Sequence, residues 1–253
     1  MCFLLFAVRA DARYPLIVAA NRDEFHHRAT APAAFWPDAN YMILAGRDLV
    51  ADGTWLGIHR NGRIAALTNF PGDHDPARPS RGSLVREFLQ SQVAASDYYE
   101  HLRTTANRYN GFNLVFGNTD ALYYLSNRAQ VDEPLLRSGI HGLSNDSLNT
   151  AWPKVVEGKA NLQVMLDSNA ELHTRQLFEL IATRGPAHNE STDPVHHGDA
   201  IRASAFIIGE DYGTRSSTVL MVDAQRNVKF EERSFDCHGH CTNTEQYQFD
   251  LTI

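Results

Sequence analysis

The sequence begins Met1-Cys2-Phe3-Leu4-Leu5-Phe6-Ala7-Val8, so a thiol lies directly before a run of apolar residues. An uninterrupted apolar run of this length predicts a buried strand. Initiator methionine is usually removed when the next residue is small, and its removal here would leave Cys2 with both a thiol and a free α-amine. Such an amine, with a pKa of ~7.7–8.0, suits a general base at neutral pH. Cys2 is therefore a candidate nucleophile, and the alternative is a small apolar residue of the strand.

The composition is that of a soluble globular protein, with 43% hydrophobic and 21% charged residues in a chain of 253. A net charge of −7 and a pI near 5.9 argue against a nucleic-acid partner, because no basic surface is available. No apolar stretch approaches the length of a membrane span, so stable membrane insertion is not expected. No basic segment precedes the first apolar run, which argues against a signal peptide. Three cysteines do not form a disulfide framework and favour a cytoplasmic location.

Hairpins account for most of the predicted strands. Asn61-Gly62 is a strong tight-turn signal between two apolar stretches, and polar segments at 9–13, 118–120 and 223–227 separate other pairs. The predicted strands are Phe3–Val8, Pro15–Ala20, Trp55–Ile58, Ile64–Leu67, Phe112–Gly117, Leu122–Leu125, Phe206–Gly209, Thr218–Val222 and Val228–Phe230. Because hairpins join antiparallel strands, the sheets should be mostly antiparallel.

Four helices are predicted between the hairpins. The first has an apolar face at Leu84, Val85, Phe88 and Leu89, with Ser83 as its N-cap. The others are predicted at Asp97–Asn107, at Val155–Leu166 with Pro153 in the first turn, and at Leu172–Ile181, with Gly185-Pro186 as a stop and His188–Asp199 as a surface loop. The order of strands and helices predicts an α/β (α+β) fold, a four-layer α-β-β-α sandwich formed by one domain over residues 1–253.

Polar residues follow several predicted strands directly. Asn21-Arg22-Asp23-Glu24 ends the second strand, Asn69 ends another, Leu143-Ser144-Asn145 ends a third, and Arg215 precedes a fourth. Strand ends on one rim of a sandwich converge, so these side chains are expected to meet. Arg22 and Asp23 are candidates to orient an amine and to favour the thiolate of a nearby cysteine. The amide of Asn69 is a candidate donor to an oxyanion. Each of these residues alone is better explained as a capped strand end or turn, and it is the four together that suggest a site.

The ordered motifs resemble the NRDE family, the transport-and-Golgi-organisation 2-like group named for its Asn-Arg-Asp-Glu signature. The residues that carry the resemblance are Met1-Cys2, Asn21-Arg22-Asp23-Glu24-Phe25, Gly53-Thr54-Trp55-Leu56-Gly57, Leu67-Thr68-Asn69, Asn110-Gly111-Phe112-Asn113, Gly142-Leu143-Ser144-Asn145 and Tyr212-Gly213-Thr214-Arg215. The resemblance implies a fold of the N-terminal-nucleophile hydrolase type. It also implies a role in haem trafficking, with acyl-CoA or lipid handling as a further suggestion.

A more distant likeness concerns the cysteine amidases that cleave bile salts and penicillin V, which also begin Met-Cys. The positions that resemble their catalytic residues are Cys2, Arg22, Asp23, Asn69, Asn145 and Arg215. One difference is that the amidases separate the Arg and the Asp, whereas Arg22 and Asp23 are adjacent. Adjacent strand residues point to opposite faces, so both should reach one site only if the strand has already ended.

Histidine and cysteine residues supply candidate ligands for haem iron. His26 and His27 follow the signature and are the preferred candidates under the haem hypothesis. Cys237-His238-Gly239-His240-Cys241 contains zinc- and iron-binding residue types, but five contiguous residues seldom close a metal site, so a surface loop before the last strand is expected. No resident metal and no catalytic cofactor is predicted.

Two hypotheses from different classes follow. The first is a haem-trafficking or haem-binding protein with haem as cargo. The alternative is an N-terminal cysteine amidase or acyl-transfer enzyme, acting on non-peptide C–N bonds of an acyl-amide or on an acyl-thioester, with Cys2 as nucleophile. An amidase of this type requires the removal of Met1, whereas a carrier does not. The sequence leaves the oligomeric state open.

Overall fold

The computed structural model describes residues 2–72, 74–184 and 202–252. These residues form two six-stranded antiparallel sheets. The first sheet has the order β12-β11-β10-β2-β1-β9 and consists of β1 (Cys2–Asp11), β2 (Tyr14–Phe25), β9 (Gly139–Leu143), β10 (Tyr212–Val222), β11 (Asn227–Phe235) and β12 (Cys241–Asp250). The second sheet has its strands in chain order: β3 (Thr30–Phe35), β4 (Ile43–Asp48), β5 (Leu56–His59), β6 (Ile64–Asn69), β7 (Phe112–Gly117) and β8 (Leu122–Ser126).

In the described part of the chain, four α-helices cover the outer faces of the sheets. They are α1 (Gly82–Gln90) and α2 (Ala95–Thr105) on the second sheet, and α3 (Pro153–Asp167) and α4 (Thr174–Ile181) on the first. The layer order is therefore α-β-β-α, which confirms the predicted sandwich and is the order expected for the N-terminal-nucleophile hydrolase type.

The first apolar run explains why two layers pack on the first sheet. Side chains alternate along a strand, so Leu4, Phe6 and Val8 point between the two sheets, whereas Phe3 and Leu5 point toward α3 and α4. Both faces of β1 are buried, which is why its sequence is continuously apolar rather than alternating. Three separate apolar clusters result, one between the sheets and one beneath each pair of helices.

The predicted hairpins are confirmed. β1 pairs with β2, β5 with β6, β7 with β8, and β10 with β11, all antiparallel. Gly62 lies in the turn between β5 and β6 with a φ of +86°, a conformation that glycine adopts without steric cost. Pro153 opens α3 as predicted.

Three local predictions are wrong. Ser83 is not the N-cap of α1, because Arg81 holds that position and the Ser83 hydroxyl donates to the carbonyl of Ser80 inside the first turn. The segment 206–209 is not a strand; Ile207 instead exchanges hydrogen bonds with Thr214 at the start of β10. Arg215 does not precede its strand but lies within β10, at a register shift. The predicted stop at Gly185-Pro186 and the loop His188–Asp199 lie outside the described residues.

Candidate functional site

A cavity of about 520 Å³ opens where strands from both sheets end. On the first sheet β1 starts there, β2 ends and β10 starts; on the second sheet β4 and β6 end and β5 starts. The segment before α1 completes the wall. The lining contains four of the predicted site residues, which are Cys2, Arg22, Asp23 and Asn69. The expected convergence of strand ends on one rim is thus confirmed for these four.

The backbone of Cys2 is held by the corner that follows β9. Its nitrogen donates to Oδ1 of Asn145 at 2.9 Å, and its carbonyl accepts from the hydroxyl of Ser144 at 2.8 Å. The side-chain amide of Asn145 in turn donates to the carbonyl of Asn69 at 2.6 Å. Asn145 is buried and does not line the cavity, so it links Cys2 of the first sheet to Asn69 of the second from behind.

A buried polar network fixes this corner against the second sheet. The hydroxyl of Thr68 donates to the carbonyl of Ser144 at 2.6 Å, and the amide of Asn113 donates to the carbonyl of Asp146 at 2.9 Å. Asn113 also accepts a hydrogen bond from the hydroxyl of Tyr124 at 2.9 Å. Buried amides and hydroxyls that are satisfied in this way hold a single arrangement, because breaking one bond leaves a desolvated polar group.

The thiol of Cys2 does not have the electrostatics that the sequence suggested. Burial raises its pKa, and the smaller opposing influences of the Asp23 backbone N–H and the Arg22 charge do not reverse that effect. The charge of Arg22 favours the thiolate, as expected, whereas the charge of Asp23 disfavours it, and burial makes the net shift of the thiol pKa upward. A nucleophilic role for Cys2 needs a base that takes the thiol proton during the reaction.

Asp23 is a buried acid beside the thiol. The hydroxyl of Thr214 donates to its Oδ1 at 2.6 Å, and burial raises the pKa of the carboxyl to about 6. Lys154, at the start of α3, is also buried and interacts electrostatically with both Asp23 and Cys2. Burial lowers the pKa of this lysine, which sequence reasoning did not select because a single lysine in a first helical turn carries no distinctive pattern.

Arg22 and Asp23 both border the cavity although β2 does not end before them. β2 continues to Phe25, so the expectation that both residues reach one site only if the strand has already ended is wrong. Arg22 points between the sheets, where its guanidinium lies 4.3 Å from the centre of the Trp55 ring. Asp23 points toward the helical layer. Both reach the cavity because Cys2, the first described residue of β1, pairs with Arg22, so the opening extends around the end of β1 to both faces of β2.

Asn69 presents its side chain to the cavity. The residue ends β6 and is exposed, and among the described residues its side-chain amide has no hydrogen-bond partner, only its carbonyl accepting from Asn145. An amide whose donors are not engaged is available to donate to an oxyanion.

The remaining predicted site residues lie away from the lining. Arg215 donates to the carbonyls of Phe25 and His26 at 2.9 Å, so its predicted position on the rim is wrong and it holds the turn after β2 instead. His26 is half-buried under this turn, and burial lowers its pKa. His27 is exposed, with its ring 5.3 Å from that of Phe25. Neither histidine lines the cavity.

Arginines line the cavity in a number that sequence reasoning did not anticipate. Besides Arg22, they are Arg28, Arg78 and Arg81. Arg28 follows the signature loop directly, which is a signal that could have been used. Arg78 and Arg81 lie in an irregular segment before α1, and only the tertiary fold brings that segment to the strand ends.

The turn 236–240 joins β11 to β12 at the surface, as predicted. The carboxylate of Asp236 accepts from the backbone nitrogens of His238 and His240 at 2.9 and 2.8 Å, which organises the turn without a metal. Across the described residues, no group of three or more His, Cys, Asp or Glu side chains is arranged to hold a metal ion. No described helix is both long enough and apolar enough to cross a lipid bilayer.

The family model for Transport and Golgi organisation 2 matches residues 1–237. The chain belongs to this family. It is 36% identical over 260 residues to the Transport and Golgi organization protein 2 homolog of Bos taurus, covering 92% of this chain and 93% of the relative. It is 34% identical to the homolog of Homo sapiens, with 99% of each chain covered.

Both relatives are therefore matched over nearly their whole length. Among solved structures, the chain is similar to the Caenorhabditis elegans ortholog of N-acylethanolamine-hydrolyzing acid amidase, with a TM-score of 0.49 and 10% sequence identity over 87% of this chain and 92% of the other. At this level of likeness the comparison says nothing about activity.

Proposed function

We propose that this protein is a cysteine-dependent acyl-transfer enzyme that hydrolyses an acyl-amide or an acyl-thioester at Cys2. The observation that carries the proposal is the position of Cys2 at the start of β1, lining a cavity together with Asp23 and Asn69 while its nitrogen is held by Asn145. These groups are the parts that nucleophilic acyl transfer requires: a nucleophile, an acid that stabilises a charged amine, and an amide that donates to an oxyanion.

The mechanism begins after removal of Met1, when the α-amine of Cys2 takes the thiol proton. The thiolate attacks the acyl carbonyl, and the side-chain amide of Asn69 donates to the oxyanion that forms. Collapse of this intermediate breaks the C–N or C–S bond of the substrate, and the α-ammonium returns its proton to the leaving group. Water then hydrolyses the thioester on Cys2 and releases the acid. Because burial raises the pKa of the thiol, the mechanism depends on this proton transfer.

Haem carriage, which the family resemblance implies, stays a prediction. Charged and amide side chains make up much of the cavity lining, and His26 and His27 lie outside it. A haem site needs apolar faces for the macrocycle as well as an iron ligand. Cys2 and His74 in the lining are of residue types that can bind iron, so it is the charged lining that counts against haem. These observations favour acyl transfer over haem binding for this cavity. A cytoplasmic location, expected from the sequence, is part of the proposal.

Cys2→Ala tests the proposal directly. Intact mass first establishes whether Met1 has been removed. Processed wild-type protein should hydrolyse members of a panel of acyl-amides and acyl-thioesters and should be alkylated by iodoacetamide on its N-terminal peptide, whereas Cys2→Ala should lose both properties. Cys241→Ser removes an exposed thiol in β12 and should leave hydrolysis unchanged. Processed protein that is inert toward the whole panel would exclude the proposed activity.

A further inference from the structure

The four arginines that line the cavity differ in their partners. Three of them have a guanidinium nitrogen close to a carboxylate oxygen. The distances are 3.6 Å from Arg22 to Glu24, 2.7 Å from Arg28 to Asp48 and 3.6 Å from Arg78 to Asp75. Such pairs already satisfy much of the charge of each guanidinium. They leave little of it for a ligand.

Arg81 is the exception. Within the described ranges no carboxylate lies within 4.0 Å of its guanidinium, which makes one hydrogen bond, from Nη1 to the carbonyl of Gly111 at 3.1 Å. Arg81 is nevertheless only partly accessible, and its charge is close enough to Cys2 for the two groups to influence each other. A guanidinium carries five N–H donors, so most of its donors remain available.

We infer that Arg81 binds an anionic group of the substrate, a carboxylate or a phosphate, and that the substrate is an anionic acyl compound. This inference rests on the proposed acyl transfer at Cys2. A guanidinium presents a planar fork of donors that matches carboxylate and phosphate oxygens, and it stays protonated when partly buried. Since Arg81 and Cys2 line the same cavity, the anionic group belongs near the bond that is cleaved, as in an N-acyl amino acid.

The rest of the lining suits the acyl part of such a substrate. Phe25, Trp55 and Leu67 supply apolar surface in the same cavity. The Trp55 ring also stacks against the Arg22 guanidinium, and this contact holds the ring at the cavity wall. A molecule with an apolar chain at one end and an oxyanion near its amide therefore matches both kinds of wall.

Arg81→Gln tests the inference with three matched substrates. They are N-dodecanoylglycine, N-dodecanoyl-O-phosphoethanolamine and the neutral N-dodecanoylethanolamine. Wild-type protein should prefer an anionic substrate. Arg81→Gln should lower kcat/KM for that substrate about 10- to 100-fold, the loss expected for one charge-assisted contact, and leave the neutral substrate unchanged. The better anionic substrate identifies a carboxylate or a phosphate. Arg103→Gln, which removes one exposed arginine of α2, should change none of the three rates.

Binding separates this inference from the proposed activity. Cys2→Ala protein, with and without Arg81→Gln, is titrated with N-dodecanoylglycine and N-dodecanoyl-O-phosphoethanolamine by calorimetry. Binding that depends on Arg81 would support the anion site even if wild-type protein hydrolysed none of the three compounds. That lack of hydrolysis would count against the proposed activity but not against the anion site. Equal affinity with and without Arg81, or equal kcat/KM for anionic and neutral substrates, would overturn the inference.

Discussion

Glu232 is a buried acid that connects the two sheets. It lies on β11 of the first sheet, and its Oε1 accepts from the backbone nitrogen of Ala33 on β3 of the second sheet at 2.7 Å. Its Oε2 accepts from the hydroxyl of Thr218 at 3.1 Å. Burial raises the pKa of this carboxyl to about 7, so two good hydrogen bonds do not fully offset the loss of hydration.

The raised pKa predicts a pH-dependent stability. The folded state holds the Glu232 proton up to about pH 7, whereas the unfolded chain releases it near pH 4.5, so stability falls as pH rises through this window. Glu232→Gln removes the titration. The free energy of unfolding of the variant minus that of wild type should therefore be higher at pH 8 than at pH 5. The increase should be at most about 3 kcal/mol, since each unit of pKa shift is worth ~1.36 kcal/mol. Urea unfolding at both pH values measures the difference.

Glu100→Gln on α2 is the control for Glu232, since it removes an exposed carboxylate on the outer face of the second sheet rather than between the sheets. This variant should keep the wild-type pH dependence. A Glu232→Gln variant with an unchanged pH profile would show that the carboxyl does not titrate in this window.

At the scale of single residues, the sequence predicts site residues that lie at strand ends. Cys2, Arg22 and Asn69 each adjoin an apolar run, so local pattern places them on one rim. Arg81 and Lys154 reach the site only through packing between distant segments. No local pattern distinguishes them from surface cations.

The corner after β9 is the element that positions Cys2. It is held by hydrogen bonds to the second sheet, with Thr68 at their centre. Thr68 is fully buried; its hydroxyl donates to Ser144 and accepts from the amide of Asn113 at 3.1 Å. Removing that hydroxyl deprives the Ser144 carbonyl and the Asn113 amide of one hydrogen bond each and leaves only a long contact of 3.4 Å between the two groups.

Thr68→Val keeps the side-chain shape and deletes this hydroxyl. The free energy of unfolding should fall by about 1–3 kcal/mol, the cost of unsatisfied buried polar groups. Because the corner holds the backbone of Cys2, the alkylation rate of Cys2 should also change, which a purely global loss of stability under native conditions would not produce. Thr104→Val, at an exposed threonine of α2, should alter stability by less than about 0.5 kcal/mol. An unchanged alkylation rate in Thr68→Val would show that the hydrogen bonds of Thr68 do not control the position of Cys2.

At the scale of elements, the apolar pattern predicts most of the strands but misses β3 and β4, and it indicates β12 only as a last strand without bounds. β12 is largely polar because it is an edge strand with much of its surface in solvent, so it lacks an apolar run. β3 contains Pro32 at a register shift, which proline tolerates on an edge strand. The segment 206–209 is apolar yet not a strand, because Phe206 packs against Phe235, with 4.9 Å between the ring centres, rather than entering a sheet.

The whole molecule depends on a core that neither sheet can form alone. The cluster between the sheets takes Leu4, Phe6 and Val18 from the first sheet and Ile58 and Val115 from the second. Separating the sheets would expose all of these side chains to water, at about 25 cal/mol per Å² of apolar surface. If residues 1–253 form a single domain, as predicted, the two sheets should therefore unfold together.

Tryptophans in the two halves allow that coupling to be measured. Trp36 is buried beneath the helices of the second sheet, and Trp152 lies beside α3 on the first. Two variants, Trp36→Phe/Trp55→Phe and Trp55→Phe/Trp152→Phe, each leave one reporter. Within each variant, urea unfolding followed by fluorescence should coincide with unfolding followed by far-ultraviolet circular dichroism, because the shared core makes both halves unfold together. A reporter whose midpoint departs from the dichroism curve of the same protein would mean that one sheet with its helices survives the loss of the other, and the chain would then contain two folding units.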